Sequence, residues 1–357
     1  MGENGQLRSI LKSYLIALIG GGLFTLLHLP LPWILGPVTG LLLSKIFWNN
    51  RTAASQPLRK MSYWLLGIQI GNTFTVHTFH NVQPYLLIYT LLTLLLIAIC
   101  MVNAYMVSKW VNVDMKTSML GSIPGGLSAV SALSESMKAN TGLVTIFQTI
   151  RLVSILFIIP FAATHLFMDA GSQGAVQLPQ TEQGAWWTIG LYVIMYIIAR
   201  LTNRFIPSSL VIVPMLLTAI LQVSGMHVYQ FPHLFFVAAQ LTIGVYLGHS
   251  ISIRDLKKAG RLCLYYTGLS ILLILLCFGL GYLFSMFTSL NLATSVLSMA
   301  PGGLVEMALT AQTTGGDPSI VSSLQTIRLL LVVLVLPLLL QWTLPKLEKH
   351  QRKEETE

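Results

Sequence analysis

Two polar motifs recur at equivalent places in this otherwise apolar chain. A Gln-Thr-x-Arg sequence begins at Gln148 and again at Gln325, which brings Arg151 and Arg328 into apolar segments. A charged side chain inside a membrane span costs roughly 2.5–3.5 kcal/mol on insertion scales, so each one invites a functional hypothesis. Because a guanidinium matches the geometry of a carboxylate, we interpret these four residues as ligands of an anionic substrate.

The duplication of this motif also supports a structural interpretation. Each arginine could form an ion pair inside the protein with Glu135 or Glu306, or donate hydrogen bonds to backbone carbonyls nearby. A bond that holds the fold together would be needed in both halves of the chain. Both interpretations therefore stay open.

Each half of the chain also contains a Pro-Gly-Gly sequence within an apolar segment. Proline removes a backbone donor and glycine opens conformations that other residues avoid, so a helix cannot run smoothly through either place. Interruptions at matching places in two halves are the best sequence-level pointer to a transporter site. The substrate-binding candidates here are Pro124, Gly125, Gly126, Ser128, Pro301, Gly302 and Gly303.

Two glutamates distinguish the halves from each other. Glu306 aligns with Ala129, and Glu135 aligns with Gln312. Residues that differ between repeats can make a symmetric site directional. We therefore predict Glu306 and Glu135 as coupling-ion residues that take up a proton or Na⁺, with a salt-bridge role as the alternative.

The chain is a tandem duplication. Pro124 and Pro301 are 177 positions apart, and the sequence matches itself at this spacing without gaps. Other pairs at the same spacing are Pro30 and Pro207, Gly67 and Gly244, Gly71 and Gly248, Cys100 and Cys277, and Pro160 and Pro337. We predict two membrane repeats, 1–177 and 178–357.

The composition defines the class of protein. Of 357 residues, 54% are hydrophobic and 9% are charged, whereas soluble domains carry about 25% charged residues. The chain is therefore predicted to be a polytopic membrane protein. Its net charge of +9 is typical of loops that face anionic lipid, and it contains no basic run that would indicate nucleic-acid binding. The three cysteines fall in apolar segments, and we expect neither a metal nor a cofactor.

Each half contains six apolar segments. In the first half they run about 8–28, 33–48, 61–76, 84–108, 117–137 and 143–168. In the second half they run about 185–203, 208–224, 234–251, 262–285, 292–313 and 319–343. Since a span needs ~20 residues, the second and third segments of each half are short.

The loop charges predict the orientation, because Lys and Arg concentrate on the cytoplasmic side. Loops 49–60 and 109–116 contain such residues, whereas their counterparts 226–237 and 286–293 contain none. The distribution of Lys and Arg is reversed between matching loops, so we predict that the two halves have opposite orientations in the membrane. Inversion requires an odd number of crossings in each half. We therefore predict five crossings and one re-entrant Pro-Gly-Gly hairpin per half; the alternative is that a short segment such as 61–76 does not cross.

Taken together, the doubled Pro-Gly-Gly-Leu and Gln-Thr-x-Arg sequences and Gly67-x-x-x-Gly71 resemble the bacterial AbrB-type duplicated membrane proteins, which carry ammonia monooxygenase and regulator labels. The resemblance covers nearly the whole chain. That family is similar to the superfamily of cation–proton antiporters and anion transporters. The resemblance implies inverted repeats with two interrupted helices at the substrate site, although it does not supply a substrate. This sequence contains no plausible set of copper or iron ligands that would support the oxygenase label.

We expect an all-α integral membrane protein that transports a small, anionic organic solute, coupled to a proton or sodium gradient by alternating access. It would not be an enzyme. We place it in the bacterial cytoplasmic (inner) membrane with both termini in the cytoplasm, and a homodimer is one option for its assembly. The alternatives are a membrane sensor that influences gene expression through a partner, and an integral-membrane oxidoreductase.

Overall fold

The fold is helical, as the sequence predicts. A computed structural model of the chain describes residues 3–48, 52–75, 78, 82–111, 113–123, 130, 134–135, 137–167, 184, 186–203, 205–206, 208–226, 228–332 and 334. Helices dominate these residues, which contain no extended β-strand. The prediction of an all-α protein is confirmed for this part of the chain.

The helices follow one another in the same order in both halves. The first half contains α1 (Glu3–Leu26), α2 (Pro32–Trp48), α3 (Gln56–Gly71), α4 (Leu86–Val111), α5 (Met115–Ser122) and α6 (Thr141–Phe167). The second half contains α7 (Ile189–Thr202), α8 (Ser209–Val223), α9 (His233–Ser250), α10 (Ile253–Ala259), α11 (Arg261–Phe287), α12 (Leu292–Met299), α13 (Leu304–Thr313) and α14 (Pro318–Val332). At the spacing of the duplication, α2 matches α8, α3 matches α9, α4 matches α11, α5 matches α12 and α6 matches α14.

Several of these helices are suited to a bilayer. Five apolar helical stretches among the described residues are long enough to cross it: Gln6–Leu26, Gln83–Val111, Thr141–Phe167, His233–Lys257 and Arg261–Phe287. The helices at Trp186–Thr202, Ser209–Val223 and Pro318–Val332 are apolar but shorter. The chain therefore has the helices of a multi-pass membrane protein.

Glycines bring the two halves together in reciprocal contacts. A Cβ at Gly67 of α3 would lie 2.5 Å from the carbonyl oxygen of Val211 in α8. A Cβ at Gly244 of α9 would lie 2.7 Å from the carbonyl oxygen of Ile34 in α2. Gly67 and Gly244 match in the duplication, and so do Ile34 and Val211. The first half thus packs on the second as the second packs on the first.

The main core lies where these four helices meet α13. Leu35 of α2, Leu66 of α3, Met215 of α8 and Ile243 of α9 are buried in one cluster with Leu309 of α13. In a membrane, close packing of this kind is a main source of helix association, because lipid is as apolar as the side chains. The interrupted helix that contains α13 is thereby fixed against helices of both halves.

Replacing Gly67 by alanine should weaken the contact between α3 and α8. The added methyl group would collide with the Val211 carbonyl, so we expect a loss of about 1–3 kcal/mol and a lower thermal unfolding midpoint in detergent. Gly268→Ala is the matched control, because a Cβ at Gly268 of α11 meets nothing within 4 Å. Equal midpoints for the two variants would contradict the close contact.

Candidate functional site

The segment predicted as the second Pro-Gly-Gly hairpin is interrupted in its middle. α12 ends at Met299, and Ala300 then has an extended conformation with φ −61° and ψ 132°. Gly303, with φ −74° and ψ 150°, is the N-cap of α13 and has no side chain to cap that helix. Pro301 supplies no amide. Four non-helical residues, Ala300–Gly303, thus separate two short helices.

The two short helices form a closed hairpin. The Asn291 side-chain amide donates to the carbonyl oxygen of Gly315 at 2.8 Å, and the backbone amide of Asp317 donates to Thr294 Oγ1 at 2.9 Å. These bonds bring the start of α12 beside the end of α13. With 8 and 10 residues, the helices are about 12 and 15 Å long, which is about half of a bilayer core of roughly 30 Å.

The first half makes a matching bond at the base of its hairpin. The backbone amide of Asn140 donates to Thr117 Oγ1 at 3.0 Å, and these residues match Asp317 and Thr294 in the duplication. α5 also ends like α12, because Ile123 is extended with φ −73° and ψ 134°. Where it is described, the first half therefore matches the second half on both sides of the Pro-Gly-Gly sequence.

Arg328 and Gln325 of α14 hold the carbonyl end of α12. The Arg328 guanidinium donates to the carbonyl oxygen of Ala300, to that of Gly302 at 3.0 Å, and to Gln325 Oε1. Gln325 Nε2 donates to the carbonyl oxygens of Leu297 and Ala300 at 2.8 and 3.0 Å. The last carbonyls of a helix have no partner within it, and these two side chains supply one. The structural interpretation of the arginine, as a donor to hairpin carbonyls, matches this geometry.

The first half repeats this arrangement. The Arg151 guanidinium donates to the carbonyl oxygen of Ile123 and, at 2.6 Å, to Gln148 Oε1. Gln148 Nε2 donates to the carbonyl oxygen of Leu120 at 2.8 Å. Both arginines are buried, with 7% of Arg151 and 6% of Arg328 exposed. Each positive charge is therefore enclosed beside the end of a short helix.

Glu306 lies on the other side of the interruption. It occupies the first turn of α13, and only 9% of it is exposed. A Cβ at Gly303 would overlap Glu306 Oε2, so the carboxylate folds back over the start of α13. A helix start carries a partial positive charge and attracts anions. The other coupling-ion candidate, Glu135, is exposed.

Tyr63, which interacts with Glu306, and its neighbours Arg59 and Tyr246 escaped the sequence analysis as site residues. Tyr63 of α3 is close enough to interact electrostatically with Glu306 and with Tyr246 of α9. The Arg59 guanidinium lies over the Tyr246 ring, 4.3 Å from its centroid. The sequence signal was available, because Arg59 aligns with Phe236 in the second half. A charge that replaces an aromatic residue at a matching position marks a difference between repeats.

A cavity lies between α4, α5, α6 and α11. Its lining includes Cys100, Ser122, Arg151 and Ser270, and it has about 340 Å³ of empty space, counting the space at its mouth. The cavity is small and mostly apolar, and it lies beside one of the two buried arginines.

The structure brings part of the predicted site together. Pro301, Gly302, Gly303, Glu306, Gln325 and Arg328 gather at the second interruption. The first-half candidates Pro124, Gly125, Gly126 and Ser128 lie outside the described residues. Gln148 and Arg151 are described, and they hold the end of α5.

Fold and site define a multi-pass α-helical membrane protein with two similar halves and an interrupted helix. The chain belongs to the family described as transition state regulatory protein AbrB, whose model matches residues 33–344. This confirms the family resemblance of the sequence motifs.

Two relatives match almost the full chain. It is 26% identical over 345 residues to the "Uncharacterized protein YhjN" of Bacillus subtilis (strain 168), covering 90% of each chain. It is 27% identical over 325 residues to the "Putative regulator AbrB" of Escherichia coli (strain K12), covering 88% of this chain and 90% of the relative. No solved structure matches the chain.

Replacing Arg328 by methionine should destabilise the second hairpin. The carbonyl groups of Ala300 and Gly302 would lose a buried donor, so we expect a loss of about 1–3 kcal/mol, measured as a lower thermal midpoint in detergent. Arg328→Lys should restore only part of the stability, because an ammonium lacks the planar fork. Arg261→Met removes an exposed charge from α11 and is the control. If Arg328→Met and Arg261→Met unfold at the same temperature, the proposed structural role is wrong.

Proposed function

We propose that this protein is a secondary transporter of a small, anionic organic solute, driven by a proton or sodium gradient through alternating access. The observation that carries the proposal is the interrupted helix at Ala300–Gly303. Non-helical backbone at membrane depth is tolerated only where protein buries it or where it lines a watery cavity. Interrupted helices in matching places of two repeats are typical of transporter substrate sites.

The chemistry of the interruption favours an anionic solute. The first hydrogen bond within α13 runs from the amide of Met307 to the carbonyl oxygen of Gly303. The amides of Leu304, Val305 and Glu306 therefore lie in the turn that a helix leaves without internal acceptors. Such amides, together with the helix dipole, bind carboxylates and phosphates. Gly303 itself is exposed, which makes this end of α13 accessible.

In this proposal the solute lies between the two interruptions. Arg151 and Arg328 contribute fixed positive charge there, while their N–H groups hold the hairpin carbonyls. Glu306 and Glu135 are the candidates for the coupling ion. The solute is moved without chemical conversion, and no resident cofactor takes part.

The proposal also includes opposite orientation of the two repeats, 1–177 and 178–357. Its support is the reciprocal packing at Gly67 and Gly244, the inverted loop charges, and a second hairpin whose helices are too short to cross. Each repeat would then cross the membrane five times and insert one re-entrant hairpin. We place both termini in the cytoplasm and the protein in the bacterial inner membrane.

Regulation of gene expression is the second candidate. It is favoured by the printed name of the Escherichia coli relative, which is a regulator, and by the name of the family. A regulator that acts through a partner needs a surface on which the partner can dock. The predicted cytoplasmic segments that could provide it are 49–60 and the tail from Lys346. Removal of the tail would then abolish regulation, whereas it would leave transport intact.

The direct test is uptake by purified protein in proteoliposomes. We expect accumulation of at least one labelled compound from a set of mono- and dicarboxylates and amino acids, when an inward proton or sodium gradient is imposed. Liposomes without protein and liposomes without a gradient are the controls. Absence of gradient-dependent uptake for the whole set would contradict the proposal.

Opposite orientation of the repeats predicts a difference between two engineered cysteines. Ser55 precedes α3, and Tyr229 lies in the segment before α9. In a variant without native cysteines, Ser55→Cys should react with an impermeant thiol reagent only after the cells are opened, whereas Tyr229→Cys should react in intact cells. Labelling of both from the same side rules out the inversion.

A further inference from the structure

Side chains of opposite charge occupy the two sides of the second interruption. On the carbonyl side, Arg328 donates to Ala300 and Gly302. On the amide side, the Glu306 carboxylate folds over Gly303. Both placements are electrostatically favourable, because a helix end attracts cations and a helix start attracts anions. The place that would bind an anionic solute is therefore already filled by an anionic group of the protein.

Glu306 is also poorly provided with donors for a carboxylate of which only 9% is exposed. Among the described residues, no side chain donates a hydrogen bond to its carboxylate, which lies over Gly303. A buried carboxylate needs a counter-charge, several hydrogen-bond donors or a proton. The sparse surroundings of Glu306 thus point to a proton as its ligand, independently of the helix start.

Few charged or titratable groups face Glu306 from the neighbouring helices. Tyr63 of α3 interacts with it electrostatically. Arg59, also in α3, lies over the ring of Tyr246 in α9. Arg328 of α14 donates to backbone carbonyls. These side chains do not replace a proton on Glu306. Arg328 is engaged with backbone carbonyls, Arg59 lies over the Tyr246 ring, and a tyrosine is neutral near pH 7.

The remaining neighbours of α13 are α2, α8, α12 and α6. The titratable side chain of α2 is Lys45, which donates to the carbonyl oxygens of Gly248 and Ile251 at 2.8 and 2.7 Å, and the sequence of α8 contains none. The sequence of α12, Leu292–Met299, contains no titratable residue. In α6 the titratable side chains are Arg151 and His165, which hydrogen-bond to the carbonyl oxygens of Ile123 and Phe161. In the described part of the chain, Glu306 is therefore the titratable acid at this helix start.

We propose that the Glu306 carboxylate and a carboxylate of the solute occupy the start of α13 in turn, so that one proton must bind Glu306 for each solute carboxylate that binds. This inference rests on the proposed transport of an anionic solute. Protonation removes the negative charge of Glu306 from the amides and relieves its repulsion of the solute. Solute and proton then bind together and are carried in the same direction.

The first hairpin has no acidic residue that corresponds to Glu306. Glu306 aligns with Ala129, so the first repeat has no carboxylate at the matching position. Coupled binding of one proton and one solute carboxylate is therefore confined to the second repeat. This gives a reason for the difference between two otherwise similar halves.

The test measures anion binding against pH in the purified full-length protein. The probes are pyruvate, succinate and glutamate, and binding is read as the rise in thermal midpoint with anion concentration. For the wild type, above the pH at which Glu306 loses its proton, we expect the apparent affinity to fall about tenfold per pH unit, because one proton is linked to one carboxylate. Glu306→Gln should bind with an affinity that does not change with pH.

Asp255→Asn is the matched control, because it makes the same chemical change at an exposed position in α10. It should keep the pH dependence of the wild type. Glu306→Asp retains a carboxylate and should restore the pH dependence that Glu306→Gln loses. If the Glu306 variants do not fold, the wild-type pH profile alone decides, because a flat profile overturns the inference.

The outcomes also separate this inference from transport itself. Anion binding that is independent of pH in the wild type, or that depends on pH equally in Glu306→Gln, overturns the role of Glu306 and leaves anion transport standing. If the apparent affinity for the anion is higher in sodium than in choline at constant pH, and does not depend on pH, the coupled ion is Na⁺ and the role of the proton is overturned. If none of the three anions binds at any pH and none is taken up by proteoliposomes, both proposals fail.

Discussion

The main constraint on this protein comes from backbone carbonyls. They lie at the end of a helix that stops inside an apolar bundle, and they have no partner within that helix. Neither lipid nor a continuing helix can supply their donors. Arg328 and Gln325 supply them for α12, and Arg151 and Gln148 do so for α5. Since a buried acceptor without a partner costs about 1–3 kcal/mol, the interruption can persist only together with these donors. The doubled Gln-Thr-x-Arg motif provides these donors in both halves of the chain.

The interrupted helix packs in the same core as the reciprocal glycine contacts between the two halves. α3 packs on α8 and α9 packs on α2 through Gly67 and Gly244, and α13 joins the same core through Leu309. The start of α13, with Glu306, therefore lies against a helix of the other half. A shift of the second hairpin relative to α3 would change the electrostatic interaction between Glu306 and Tyr63.

Much of this architecture could be predicted from the sequence. The spacing of the duplication fixed the matching helices, and Pro301 with Gly302 and Gly303 marked the place where α12 ends and α13 begins. Sequence alone could not choose between an anion ligand and a structural donor for Arg328, because the same side chain serves both roles. The contact of Tyr63 with Glu306 was not predictable either, since residues of separate halves meet only after folding.

By itself, the sequence determined that this is a multi-pass helical protein, and it predicted two copies of one bundle with an interruption in each. The effects of composition, proline and glycine depend on the local sequence, and a repeat can be recognised by comparing the sequence with itself. Tertiary structure decided which groups satisfy the interruption, namely Arg328 and Gln325 on the carbonyl side and Glu306 on the amide side. Those assignments depend on directions and distances of a few ångströms between segments far apart in the chain, which no local pattern encodes.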